Sequence, residues 1–96
     1  MTTLTVTPAH DGKHKYTAVF THADGSTKTI HFGAAGMTDY LQSKDKLRRE
    51  RYLTRHRGRE DWNNPETAGA LSRHLLWGSS TSLATNLASF RKRFSL

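Results

Sequence analysis

The chain contains no cysteine. That excludes a disulfide framework and any thiolate metal site, and it suits a reducing compartment. Long apolar runs are missing too, and no stretch approaches the ~20 residues needed to cross a bilayer. The opening Met1-Thr2-Thr3-Leu4-Thr5-Val6 has neither a basic nor an apolar block, so no secretory signal is expected. Proline is scarce, with two residues in 96, and so is acidic charge. Eight Asp+Glu face fifteen Lys+Arg, which leaves +7 with histidines neutral. The sequence pI is near 10.3. Hydrophobic residues make up only 34%, so a core must draw on nearly every aromatic. These features predict a single small domain over 1–96, intracellular or inside a virion, not secreted and without a membrane partner.

What is present changes period part-way along. Residues 1–36 read as strands. Leu4 and Val6 alternate with threonines, Tyr16, Ala18 and Phe20 follow at period two, and so do Ile30 and Phe32. A three-residue loop, Ala23-Asp24-Gly25, pairs Tyr16 with Phe32, Ala18 with Ile30 and Phe20 with Lys28. That register puts the large residues except Val19 on one face, with Gly25 left-handed in a G1 bulge. Gly33-Ala34-Ala35-Gly36 reads as a flexible hinge.

The remainder, 37–96, reads as helical. No Gly or Pro interrupts 38–57, which predicts one basic helix with Thr38 as N-cap and Gly58 as its stop. Asn64-Pro65 is expected to open a second helix that closes at Gly78. Ser79 to Ser82 offers caps for a third, whose apolar stripe is Leu83, Leu87, Phe90 and Phe94. The expected fold class is α+β, a three-stranded antiparallel meander followed by three helices packed on one of its faces. The expected core is Val6, Tyr16, Ala18, Phe20, Ile30, Phe32, Leu47, Leu71, Leu75, Trp77, Leu83, Leu87, Phe90 and Phe94. Trp62 is expected to pack as a lid.

Charge concentrates between Lys44 and Arg59, where eight basic residues face only Asp45 and Glu50. On one continuous helix, Lys44, Arg48, Arg51 and Arg55 would form a ridge. Such a face is often simply solvated, with Asp45–Arg49 and Glu50 pairing locally. Against that stands the shortage of acid, since like charges four apart destabilise a helix by a few tenths of a kcal/mol each. Arginine binds phosphate bidentately, so a polyanion is the expected partner. The candidate nucleic-acid-binding residues are Lys44, Arg48, Arg49, Arg51, Arg55, Arg57 and Arg59. Arg91, Lys92 and Arg93 at the end of the third helix join them, although cations there also complement the helix dipole.

Catalytic and metal patterns are thin. The six histidines include no i,i+4 helical pair around a carboxylate, and His31 should point away from the core. Glu60-Asp61, just before Trp62, reads as a capping or salt-bridge pair with Arg57 or Arg59. Ser79, Ser80 and Ser82 read as caps, and Gly33–Gly36 lacks the Lys-Ser/Thr of a phosphate loop. No enzyme activity and no cofactor are expected.

Several segments together resemble a known family. They are Phe32-Gly33-Ala34, Asp39-Tyr40, Lys44-Asp45-Lys46, Arg51-Tyr52-Leu53-Thr54-Arg55-His56, Glu60-x-Trp62, Thr67-Ala68-Gly69-Ala70-Leu71-Ser72, Leu75-Leu76-Trp77 and Lys92-Arg93-Phe94. This set, spanning roughly 14–94, is similar to small, basic, uncharacterised proteins of giant double-stranded DNA viruses of algae and protists. It departs from that pattern near Gly69-Ala70-Leu71 and His74, where bulkier aromatics are expected. The resemblance implies a viral source and no particular activity. The expected function is non-enzymatic, low-specificity nucleic-acid binding, with DNA favoured over RNA. The alternative is a structural component of a virus particle that docks an acidic protein surface.

Overall fold

A computed structural model describes residues 1–96. Three antiparallel strands, β1 (Thr3–Pro8), β2 (His14–Thr21) and β3 (Thr27–Ala34), form a sheet in sequence order. Tyr16 pairs with Phe32, Ala18 with Ile30 and Phe20 with Lys28, as the single-face argument requires. At the hairpin the His22 amide donates to Ser26 O (2.8 Å) and the Gly25 amide to His22 O (2.9 Å), with Gly25 at φ +88°. Leu4 lies opposite Phe20, and Val6 opposite Ala18, which extends the apolar face to β1. The outer face carries threonines and His31. The β-branched threonines suit a half-exposed pleat.

Helices α1 (Tyr40–Ser43), α2 (Lys46–His56), α3 (Ala68–Leu71) and α4 (Leu83–Phe94) follow, and α3 runs into a π-helical turn, Ser72–Leu76. The fold is therefore α+β, with an N-terminal meander and the helices after it. One hydrophobic cluster joins Phe20 and Phe32 of the sheet to Leu71, Leu75, Leu76 and Phe90 of the helices.

Four details of the expected layout change, each for a local reason. The helix expected over 38–57 is two. Its N-cap is Asp39, not Thr38, because a buried carboxylate there accepts from the Gln42 amide (3.1 Å) and from Lys15 Nζ (2.6 Å). The helix then stops at Lys44, which is left-handed at φ +54°. Asp45 restarts it, its Oδ1 accepting from the amides of Leu47 (3.0 Å) and Arg48 (3.2 Å). A short carboxylate competes with the backbone for those N–H groups, so it breaks a helix without Gly or Pro.

The second change follows from the first. Helix α2 points Tyr52 and Leu53 inward, while Leu47, about 130° around the axis from them, is 57% exposed. Leu47 is therefore not core. Tyr40, Tyr52, Leu53, Leu4 and Leu76 join the buried cluster instead.

Thirdly, Asn64-Pro65 does not open α3. Asn64 Oδ1 accepts from the Glu66 amide in a turn (3.1 Å), and Thr67 is the cap, its Oγ1 accepting from the Ala70 amide (3.1 Å). The small residues at 69–70 are required there: Ala70 is fully buried, and a Cβ on Gly69 would come within 3.0 Å of the Glu60 side chain.

Lastly, Gly33 is no hinge. It lies within β3 at φ +76°, where a Cβ would meet Leu76 Cδ1 at 2.8 Å. Close approach of the π turn to the sheet depends on that missing side chain.

Helix α4 matches its expected limits, with Ser82 as N-cap. Phe90 is buried and Leu83, Leu87 and Phe94 pack at the margin of the core. Asn86 bolts the preceding loop down: its Nδ2 donates to Leu75 O (2.9 Å) and Ser80 O (2.8 Å), and its Oδ1 accepts from the Ser80 amide (3.1 Å).

Candidate nucleic-acid interface

Helix α2 lies between two clefts. On one flank Arg48, Tyr52, Arg55 and His56 face Lys15, Gly33 and Ala34 across a cleft of about 380 Å³. On the other, Arg49 joins Arg73 and Arg93 around a cleft of about 280 Å³. The stack of Tyr52 on Trp77 separates them, with ring centroids 4.3 Å apart and planes within 5°.

Arg48, Arg51 and Arg55 stand exposed within about 60° of arc on α2. They are the ridge. Lys44 is not part of it, because the left-handed turn at that residue takes it out of the helix. Arg57 caps the C-terminus of α2 and Arg59 follows in the turn, both exposed. Arg49 faces inward instead. Its Nε donates to Trp77 O (3.1 Å) and Gly78 O (2.8 Å), at the end of the π turn. The C-terminal cluster divides likewise: Arg91 Nη2 donates to Leu4 O (2.9 Å), Arg93 lines the smaller cleft, and Lys92 is exposed.

The acidic residues are committed elsewhere. Asp11, Asp24 and Asp61 hold turn amides, while Asp39 and Asp45 cap helices. Glu66 accepts from His22, and Glu60 from His56 and Trp62 Nε1. Only Glu50 has no partner. Every ion pair within 4.0 Å uses Lys15 or a histidine, and none uses an arginine. The Asp45–Arg49 pair of the solvated-face alternative and a salt bridge of Glu60-Asp61 with Arg57 or Arg59 are therefore not formed, whereas Asp61 does cap, accepting from the Asn63 amide (3.0 Å). Backbone amides and ring nitrogens lie nearer to those carboxylates than any guanidinium does.

Burial, then the Glu60 charge, push the Tyr52 hydroxyl above its ordinary range, so it stays protonated. Burial pushes His74 down, and its Nε2–H donates to Trp62 O (2.9 Å). No group of three or more His, Asp or Glu is placed to hold a metal ion.

Sequence reasoning missed Arg73 and His74 as neighbours of the site. Arg73 stands between Ser72 and His74, outside either basic cluster, and its approach to Arg49 and Arg93 is purely tertiary. Trp62 does pack at the core margin, with the Arg73 guanidinium 5.1 Å from its ring centroid. Trp77 is buried and His31 exposed, as expected.

The model of a family of unknown function (DUF5754) matches residues 4–56, more than half of the chain. The chain belongs to that family. The DUF5754 match runs from β1 to the last residue of α2, so it includes the whole ridge. Arg73 and Arg93 lie beyond it. No curated protein and no solved structure matches the chain. No helix is long and apolar enough to cross a membrane.

Proposed function

We propose that this protein binds the phosphate backbone of duplex DNA, with low sequence specificity, through the exposed ridge Arg48, Arg51 and Arg55. One observation carries the reading: no arginine is neutralised by a carboxylate, while nearly every acid is held by a backbone amide, a lysine or a ring nitrogen. Exposed, unpaired guanidiniums gain most from phosphate, which they bind bidentately with release of counterions. Lys44, Arg57 and Arg59 flank the ridge and add long-range attraction. No element presents a set of side chains for reading base edges, so contacts to the backbone dominate. The resemblance to small basic proteins of giant double-stranded DNA viruses supports viral DNA, in the particle or the infected cell, as the duplex.

A second reading draws on Leu47 and Met37, which are 57% and 62% exposed near the same face. Apolar groups beside cations suit an acidic protein surface, such as one within a virus particle. A duplex titration at two salt concentrations separates the two. For DNA binding, log K falls with log salt by about 0.9 per phosphate neutralised. Absence of binding at low salt overturns the DNA reading.

A further inference from the structure

The smaller cleft holds more positive charge than the fold itself uses. Arg49 enters it from α2, Arg73 from the π turn and Arg93 from α4, and no carboxylate lines it. Part of this charge serves the fold. Arg49 Nε and Arg73 Nη1 cap the carbonyls of Trp77 and Gly78, as cations do at helix ends. Arg73 Nε, however, is buried with no hydrogen-bond partner. A buried N–H left unpaired costs about 1–3 kcal/mol, more when charged. Burial, together with repulsion from Arg49 and Arg93, pushes the Arg73 guanidinium below its ordinary value. Arginine does not shed its proton in proteins, so the mutual repulsion of the three guanidiniums is relieved by an anion in the cleft rather than by neutralisation.

We propose that the Arg49–Arg73–Arg93 cleft is a binding site for a phosphate monoester. Three guanidiniums match its two negative charges better than the single charge of a backbone phosphodiester. At about 280 Å³ the cleft is far larger than the ~30 Å³ share of a water. It can therefore take the phosphate and part of the group esterified to it. Ser79 and Ser89 also line the cleft, and serine hydroxyls are suitable donors to phosphate. The site is distinct from the ridge, on the opposite flank of α2, and does not depend on duplex binding. Its ligand comes either from a phosphorylated strand end or from a small phosphate ester.

Trp62 lines the cleft, so its fluorescence reports occupancy. The full chain is titrated with inorganic phosphate against potassium chloride of equal ionic strength. The expected result is a saturable change with phosphate alone. Arg93→Gln, at an exposed residue, should weaken it by about tenfold or more, the worth of a charged hydrogen bond, at unchanged Tm. No response beyond that of chloride, or a variant that binds phosphate like the parent, overturns the site. A single-stranded oligonucleotide with a 5′-phosphate is then compared with its 5′-hydroxyl counterpart. Tighter binding of the former, erased by Arg93→Gln, supports a strand end as source. Equal binding, with the phosphate response intact, supports a small ester. The triple variant Arg48→Glu, Arg51→Glu, Arg55→Glu keeps the phosphate response even if duplex binding is lost, so the site and the ridge fail independently.

Discussion

Arg49 Nε donates to the carbonyl oxygen of Gly78 at 2.8 Å, tying α2 to the end of the π turn. Its neighbour two residues on, Arg51, touches nothing that holds the fold. Two arginines in one basic run therefore have different roles, and the difference is measurable. Arg49→Ala leaves the Gly78 carbonyl without its charged donor and the Trp77 carbonyl with Arg73 alone, and should cost about 2–3 kcal/mol. Arg51→Ala should change stability by less than about 0.5 kcal/mol. Urea denaturation of both variants checks this, and equal midpoints would contradict it. Arg49→Lys should recover only part of the loss, because an ammonium cannot reproduce the planar fork.

Binding should show the opposite dependence. Reversal of Arg48, Arg51 and Arg55 to Glu should abolish duplex binding and leave the melting temperature nearly unchanged. Single neutralisations should each flatten the plot of log K against log salt by about 0.9. Anisotropy titrations with a labelled duplex give both quantities. A triple variant that melts far below the parent would mean that these arginines support the fold.

The division among the arginines marks the limit of what the sequence carries. Strand periodicity and the Asp24-Gly25 signal were enough to derive the hairpin register, because a slip of one residue would have moved Phe20 to the wrong face. The stripe of α4 was equally legible. The break at Lys44-Asp45 was not, since 38–57 contains no Gly or Pro and Asp45 acts through two hydrogen bonds to the amides of Leu47 and Arg48 just ahead of it. Once that break is missed, Leu47 falls on the wrong face and Lys44 joins a ridge to which it does not belong. The meeting of Arg49, Arg73 and Arg93 comes from three elements distant in sequence, and no local pattern announces it.

Gly33 and Gly36 have nearly the same φ, +76° and +82°, but different surroundings. Alanine at either position incurs the left-handed penalty of about 1–2 kcal/mol. Only at Gly33 does the new methyl meet Leu76 at 2.8 Å, while Gly36 has nothing within 4 Å. Gly33→Ala should therefore lose about 1–3 kcal/mol more than Gly36→Ala, the usual cost of overpacking. Thermal melts of the two variants side by side decide the point, and equal losses would mean that β3 does not pack against the π turn.

His74 should make stability sensitive to acid. Burial lowers its pKa from the ordinary 6.5, and repulsion from Arg73 and Arg93 adds to this against the opposing hydrogen bond to Trp62. The folded state then binds fewer protons than the unfolded chain. Stability is full above the unfolded value and is lost as pH falls through the folded one. His74→Gln retains a donor but cannot titrate. Its Tm should fall less than that of the parent between about pH 7.5 and about pH 5. The pairs His14–Asp11, His22–Glu66 and His56–Glu60 are common to both proteins and cancel in the comparison. Parallel curves would show that His74 does not carry the effect.

The end of α4 separates packing, tethering and free charge within four residues. Phe90 is 1% exposed and meets the rings of His74 and Phe94 at centroid distances of 5.8 and 4.8 Å. Phe90→Ala should cost about 3–5 kcal/mol, much of what a domain with ~5–15 kcal/mol of total stability can lose. Arg91 holds the carbonyl of Leu4 across 87 residues of chain, so it links α4 to the edge strand. Arg91→Met should cost about 1.5 kcal/mol, the low end for a charged hydrogen bond because the side chain is largely exposed. Lys92→Gln should cost less than about 0.5 kcal/mol. The order Phe90, Arg91, Lys92 is the expected result of denaturant titration. If Phe90→Ala unfolded at the parent's midpoint, α4 would be an appendage, and the cleft that Arg93 completes could not be a fixed site.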